Sequence, residues 1–203
     1  MSVIAIILSY LTGAVSFSYV IGKRYKNLDI REHGSGNAGA TNTLRVMGVA
    51  PAITVLLLDC GKGIASVWIG YLLSGGDPLI AAFCGLAAIL GHNWPVYYGF
   101  RGGKGVATTI GVLATLVFTA ALISGIVAIL AIIFTRFVSL GSLLFVAGTT
   151  LTTSVFFQQF GYPVYFIYFL LIITGLSFWK HRTNIQRLIK GTESKLGEKS
   201  PAN

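Results

Sequence analysis

One stretch of this chain, Gly34-Ser35-Gly36-Asn37-Ala38-Gly39-Ala40-Thr41-Asn42, stands close to Arg45 in a sequence otherwise made of apolar runs. Its composition suits an anion cradle. Glycines let successive backbone N–H groups approach a phosphate without a Cβ in the way. The hydroxyls of Ser35 and Thr41 and the amides of Asn37 and Asn42 add donors, and Arg45 adds charge. A second candidate is Gly102-Gly103-Lys104-Gly105, just past Arg101. It sets a lysine between glycines at the start of an apolar run, where free N–H groups and the dipole of a helix N-terminus already favour an anion. A lysine that only snorkels at an interface would not need those glycines. The first stretch is neither of the common nucleotide loops: no lysine follows at the place a P-loop requires, and it lies between apolar runs instead of between a strand and a helix.

The elements that must hold these residues are set by composition. The 203 residues are 54% hydrophobic and 10% charged, whereas a soluble domain carries about 25% charged residues. The expected fold is an all-α integral membrane protein. A span takes ~20 apolar residues, and runs of that kind cover about Ser2–Gly22, Val49–Leu73, Pro78–Phe100, Val106–Phe134, Val138–Phe157 and Tyr162–Trp179. The first has no small-residue cleavage signature ahead of Lys23-Arg24 and reads as a span, not a signal peptide. Basic loops belong on the cytoplasmic side. If the run 106–134 crossed once, Arg136 and the basic tail would lie outside. A break near Thr119 or Ser124-Gly125 turns that run into two short crossings and brings every basic loop inside. The expectation is therefore a bundle of about seven transmembrane helices with the N-terminus outside and the C-terminus cytoplasmic: one transmembrane domain, 1–189, and a polar cytoplasmic tail, 190–203. The glycine-rich loop, the Arg101–Lys104 turn, Ser139, Ser142 and His181–Asn184 then all fall at the cytoplasmic face, as one site or the mouth of one.

Other polar residues carry alternatives. Asp59 and Lys62 share a helix face inside the second run, where a charge costs ~2.5–3.5 kcal/mol on the insertion scale, so they must pair or face a polar cavity. They read either as an ion pair that packs helices or as catalytic groups. His92 reads as a base or as a buried histidine bonded to a carbonyl, and His33 as a solvated loop residue. Cys60 and Cys84 lie in apolar runs with no metal-ligand spacing around them, and read as small hydrophobes. No metal or other cofactor is expected. The net charge of +9 is spread along one membrane face, where it orients the protein and meets anionic lipid, so the lipid bilayer is the expected partner and nucleic acid is not. No obligate protein partner is implied.

Taken together, Gly34–Asn42, Asp59 with Lys62-Gly63, Gly91-His92 with Pro95, Gly99-Phe100-Arg101-Gly102-Gly103-Lys104-Gly105-Val106-Ala107-Thr108, and His181-Arg182 with Asn184 resemble the integral-membrane acyl-phosphate:glycerol-3-phosphate acyltransferases of bacteria, the PlsY family. The resemblance covers almost the whole chain. It implies a seven-span bundle in the bacterial cytoplasmic (inner) membrane with its active site facing the cytoplasm. It also implies transfer of a fatty acyl group from acyl phosphate to the 1-hydroxyl of glycerol 3-phosphate, giving lysophosphatidic acid for phospholipid synthesis. Ser35, Arg45, Lys104 and His181 would then be catalytic. Gly34, Ser35, Gly36, Asn37, Gly39, Thr41, Asn42, Arg45, Arg101, Gly103, Lys104, Ser142, His181 and Asn184 would bind the two phosphate-bearing substrates.

The chemistry this demands agrees with the residues. Both substrates are anions and one carries a lipid chain, so cations at the membrane surface beside an apolar groove are required. No His-x-x-x-x-Asp pair occurs, since Ala38, Tyr97 and Gln186 follow His33, His92 and His181 at that spacing. A mixed anhydride is already activated, and no well-placed carboxylate is expected in the cytoplasmic cluster. A phosphate oxygen of a bound substrate is therefore the expected proton acceptor, with His181 or His92 as the fallback. A transporter for a phosphorylated metabolite is the alternative class. It calls for inverted repeats and polar residues reaching the outer face, and neither is visible.

Overall fold

The structure is a computed structural model that describes residues 1–198. It is helical throughout, with no strand among the described residues, and resolves into two compact units, residues 1–112 and 113–198.

In the first unit, α1 (Ser2–Gly13) and α2 (Phe17–Lys26) are followed by α3 (Ala40–Met47), α4 (Val49–Ser74), α5 (Pro78–Asn93) and most of α6 (Val106–Leu116). The run beginning at Ser2, read as one span, is broken at Ala14–Ser16. Two features account for the break. A Cβ on Gly13 would enter the backbone of Ala88 and one on Gly91 the carbonyl of Tyr10, so α1 and α5 touch backbone to backbone. The Val15 carbonyl then accepts a hydrogen bond from Lys62 Nζ at 2.7 Å. The same contact logic joins α4 to α6, where Gly63 faces the Thr108 carbonyl and Gly111 the Cys60 carbonyl. Without a hydrophobic force between helices inside lipid, such small-residue contacts are how spans associate. The helix α3 is short and amphipathic. It buries Met47 with Ile21 of α2 and Val55 of α4, and that anchor fixes the glycine-rich loop that precedes it. α5 starts on Asp77, whose carboxylate accepts from the Leu79 N–H at 2.8 Å, with Pro78 in the first turn, as helix entry favours.

The second unit contains α7 (Phe118–Thr135), α8 (Val138–Phe156), α9 (Phe166–Lys180) and α10 (Arg182–Ile189). The break expected near Thr119 or Ser124-Gly125 falls at Val117, between α6 and α7. The Thr119 N–H there is held by the Tyr162 hydroxyl at 2.9 Å. α8 meets α7 where Gly141 lies against Ile132, and α9 through a Thr150–Thr174 hydroxyl pair at 2.8 Å. Residues 190–198, expected as a polar tail, fold back onto this unit: the Leu196 N–H donates to the Arg136 carbonyl and the Arg136 guanidinium donates to the Leu196 carbonyl. Five helical segments are long and apolar enough to cross a membrane, namely Ser2–Lys26, Val49–Ser74, Pro78–Tyr98, Phe118–Thr135 and Val138–Phe156, and Val106–Leu116 and Phe166–Lys180 are shorter apolar helices. On α7 the residues Ile126, Ile129, Ile133 and Phe134 are exposed, a face suited to acyl chains and not to water.

Candidate functional site

The glycine-rich loop of the first unit is shaped by its own last residue. Asn42 is buried, and its amide donates to the carbonyls of Ile30 at 3.0 Å and His33 at 2.9 Å while its Oδ1 accepts from the Ser35 N–H at 2.8 Å. Sequence reasoning had made Asn42 a donor to a ligand; here its hydrogens are committed to backbone, and what it supplies is the form of the loop. Gly34 (φ 61°) and Gly36 (φ 70°) take left-handed backbone, which suits glycine. The N–H groups of Gly36 and Gly39 also bond inside the loop, to His33 and Asn37 carbonyls. The donors that remain at the head of α3 are those of Ala40, Thr41 and Asn42, which as the opening N–H groups of a helix have no carbonyl a turn before them within it. Ser35 and Gly36 are exposed, Asn37, Gly39, Thr41 and Arg45 half-buried, and Arg45 stands in the last turn of α3. The anion-binding capacity of the loop therefore lies at a helix N-terminus more than in the loop's own amides.

The second glycine turn comes up against the first. The Gly103 N–H donates to the His92 carbonyl at 3.2 Å, and a Cβ on Gly103 would run into His92 Nε2 on one side and the Ala38 carbonyl oxygen on the other. Gly103 is thus the point where the turn before α6 meets the loop before α3. Gly105 (φ 79°) leads into α6, and its carbonyl accepts from the Thr109 N–H at 2.7 Å. Lys104, between them, is half-buried and Arg101 is exposed. Two helix N-termini, each preceded by glycines, are brought together within one unit, with Lys104 just ahead of α6. A further clamp holds them in register: Arg31 pairs with Asp29 at 2.7 Å, donates to the Tyr98 carbonyl at 2.9 Å and lies over the Tyr19 ring. The hydrogen-bonded Arg31 guanidinium holds the Asp29 carboxyl down to about 2. His33, exposed, bonds through Nδ1 to the Asp29 carbonyl.

Beneath the turn, Asp59 and Lys62 form an ion pair at 2.7 Å, both side chains 2% exposed. Lys62 also reaches His92 Nδ1 at 3.0 Å. His92, read as a base or a carbonyl-bonded core residue, is through Nδ1 a partner of this buried lysine.

The remaining residues singled out in the sequence lie in the second unit. His181 is buried where α9 passes into α10, with Nδ1 at 2.8 Å from the Ser177 carbonyl. That bond places a ring proton on Nδ1. The Ser142 hydroxyl donates back along α8 to the Val138 carbonyl at 2.8 Å. Asn184 Nδ2 donates to Glu193 Oε1 at 2.6 Å, the Ser139 hydroxyl to the same oxygen at 2.7 Å, and Arg187 Nε to Oε2 at 2.7 Å. The expectation that this region holds no placed carboxylate is corrected: Glu193, 5% exposed at its side chain, is one. Burial pushes its carboxyl up, but the bonds from Asn184, Ser139 and Arg187 outweigh burial and hold it below the usual glutamate range. Sequence reasoning missed it because Glu193 sits in a polar segment that reads as tail. The signal available was an acid nine residues beyond Asn184, the first in a stretch rich in basic residues.

The sequence profile of the glycerol-3-phosphate acyltransferase family matches residues 3–191. The chain belongs to that family. Among its relatives, the glycerol-3-phosphate acyltransferase of Halalkalibacterium halodurans is 64% identical over 94% of this chain and 93% of its own. That of Shouchella clausii is 60% identical over 98% of each chain. Two crystal structures of PlsY, an integral membrane glycerol 3-phosphate acyltransferase, superpose closely. Its glycerol 3-phosphate form is 38% identical, with a TM-score of 0.88 over 97% of this chain and 96% of that one. Its lysophosphatidic acid form is 37% identical, with a TM-score of 0.85 over 97% and 95%. This member of the glycerol-3-phosphate acyltransferase family is thus an integral membrane protein, and its candidate phosphate-binding elements are the heads of α3 and α6.

Proposed function

We propose that this protein transfers a fatty acyl group from acyl phosphate to the 1-hydroxyl of glycerol 3-phosphate, releasing inorganic phosphate and forming lysophosphatidic acid. The observation that carries this reading is the contact of Gly103 with Ala38, which sets two glycine-led helix N-termini side by side, with Lys104 just ahead of α6 and Arg45 in the last turn of α3. Such an arrangement fits phosphate, and crystal forms of the related PlsY are described with glycerol 3-phosphate and with lysophosphatidic acid.

In the proposed reaction the hydroxyl oxygen attacks the acyl carbonyl carbon, the bond from that carbon to the bridging phosphate oxygen breaks, and inorganic phosphate leaves. A phosphate oxygen of a bound substrate takes the hydroxyl proton. Glu193 is unsuited to that task, because three donors already hold its two oxygens. The chain then contributes by binding both anions, orienting the hydroxyl and stabilising the carbonyl oxyanion with N–H donors. Ser35, Arg45, Lys104 and His181 are the residues proposed to act on the reacting groups, with Ser142, Arg101 and Asn184 in substrate binding as the family resemblance implies. Purified protein assayed with acyl phosphate, acyl-CoA and acyl carrier protein in parallel should use the first, and should keep its activity in EDTA. Activity with a thioester donor only, or activity abolished by chelator and restored by magnesium, would overturn the reading.

The proposed orientation has seven crossings, the N-terminus outside and the basic loops and active site facing the cytoplasm of a bacterial inner membrane. Its support is the placement of lysine and arginine. With Cys60 and Cys84 replaced, single cysteines at Asp77, Gln159 and Lys190 test it. An impermeant thiol reagent added to whole cells should label the first two and spare the third; labelling at position 190 would reverse the scheme.

A further inference from the structure

The buried charges of the first unit lie outside the proposed chemistry, yet they are the most expensively placed groups in it. The Lys62 ammonium forms an ion pair with Asp59 Oδ1 at 2.7 Å, donates to the Val15 carbonyl at 2.7 Å and meets His92 Nδ1 at 3.0 Å. An ammonium has hydrogens to give and no acceptor, so it meets His92 as a donor. One consequence follows for His92. Its Nδ1 must accept, so the ring proton sits on Nε2, and the ring cannot turn over without presenting a hydrogen to the ammonium. Nε2 is the atom that abuts Gly103. His92 meets that glycine twice, through the ring edge and through its carbonyl, which receives the Gly103 N–H at 3.2 Å.

A simple helix-packing role does not require such a chain of contacts. Buried ion pairs in general add little net stability over apolar residues of the same volume, and here α1, α4, α5 and α6 already pack through backbone-close glycines at Gly13, Gly63, Gly91 and Gly111. What the pair does supply is direction. It locks one ring in one orientation against a glycine that tolerates no side chain, one residue before Lys104. The Phe17 ring, 5.7 Å from the Lys62 nitrogen, closes the lysine off from the side of α2.

We propose that Asp59, Lys62 and His92 are positioning residues: the buried ion pair fixes the His92 ring and carbonyl, and these hold the Gly102–Lys104 turn against the glycine-rich loop at Ala38. Their action on the reaction is through Gly103 and Lys104, and this rests on the glycerol 3-phosphate acyltransferase reading above. A displacement of about 1 Å in the site costs as much as ~10²-fold in rate, so a turn released from His92 lowers kcat/KM even in a protein that remains folded.

The test uses the full-length protein in detergent. Asp59→Leu with Lys62→Met removes both charges together and leaves no lone buried ion. His92→Asn keeps an acceptor for Lys62 and removes the ring edge that meets Gly103. In each variant the segment 99–106 should exchange its amide hydrogens at least about tenfold faster. The KM for at least one of the two phosphate-bearing substrates should rise about tenfold or more, with kcat less affected. Thermal unfolding, read in parallel, should change little in His92→Asn. If the double variant does not fold, His92→Asn decides alone. Exchange and KM within about twofold of the unaltered protein in a folded variant would reduce the three residues to helix packing and overturn the proposal. If the unaltered protein fails to acylate glycerol 3-phosphate, the functional reading falls, and the exchange of 99–106 still judges the positioning claim by itself.

Discussion

Lys104→Ala is expected to lower kcat/KM by at least about tenfold, and Arg45→Ala by a similar factor, because a charge-assisted hydrogen bond to phosphate is worth ~1.5–3 kcal/mol. Both side chains are half-buried: Lys104 just ahead of the α6 N-terminus, where the dipole and the free N–H groups add to its charge, and Arg45 in the last turn of α3. The control is Lys195→Ala: this lysine is exposed in the segment after α10 and should be nearly silent. Lys199, a second basic position of the expected tail, lies outside the described residues. Steady-state assays with each phosphate-bearing substrate varied in turn would also divide the work between the two cations. A KM effect confined to one substrate assigns the cation to that phosphate, and a kcat effect assigns it to the reacting carbonyl. Equal losses in Lys195→Ala and Lys104→Ala, in proteins equally folded, would mean that basic residues act only through membrane surface charge.

The sequence made some of this readable for physical reasons. Apolar length and basic loops locate the runs, and charge parity calls for dividing the run 106–134; the break at Val117 lies two residues from Thr119. Glycines flanking Lys104 pointed to a helix N-terminus, which α6 supplies. What stayed hidden depends on partners distant in the chain. Nothing near Val15 marks a helix break, because the partners involved, Ala88 and Gly91 of α5 and Lys62 of α4, lie on other helices. Asn42 looks like one more loop donor until its contacts with Ile30 and His33 are known. That Gly103 touches Ala38 is a fact of packing between segments sixty-odd residues apart, and spacing cannot show it.

Glu193→Leu is expected to destabilise the second unit strongly, by about 3 kcal/mol or more, since Ser139 and Asn184 would each lose a bond to a charged, buried acceptor worth ~1.5–3 kcal/mol. The Arg187 bond adds less, because that side chain is 44% exposed and its pairing is screened by water. Glu193→Gln keeps the shape and one acceptor and should fall between the two. The charge also gives the effect a pH signature. The folded carboxyl lies below its ordinary value of 4.5, so its contribution to stability is complete above that value and is lost as pH falls through the depressed folded value. Thermal unfolding in detergent should therefore show an acid loss in the unaltered protein that is smaller in Glu193→Gln. Asp29, held to about 2 from an ordinary 3.8, contributes in an overlapping acid window, so the comparison is made in an Asp29→Asn background to isolate Glu193. An acid limb identical with and without the Glu193 charge would show that Ser139 and Asn184 hold the residue by shape alone, and that the carboxylate is dispensable to the fold.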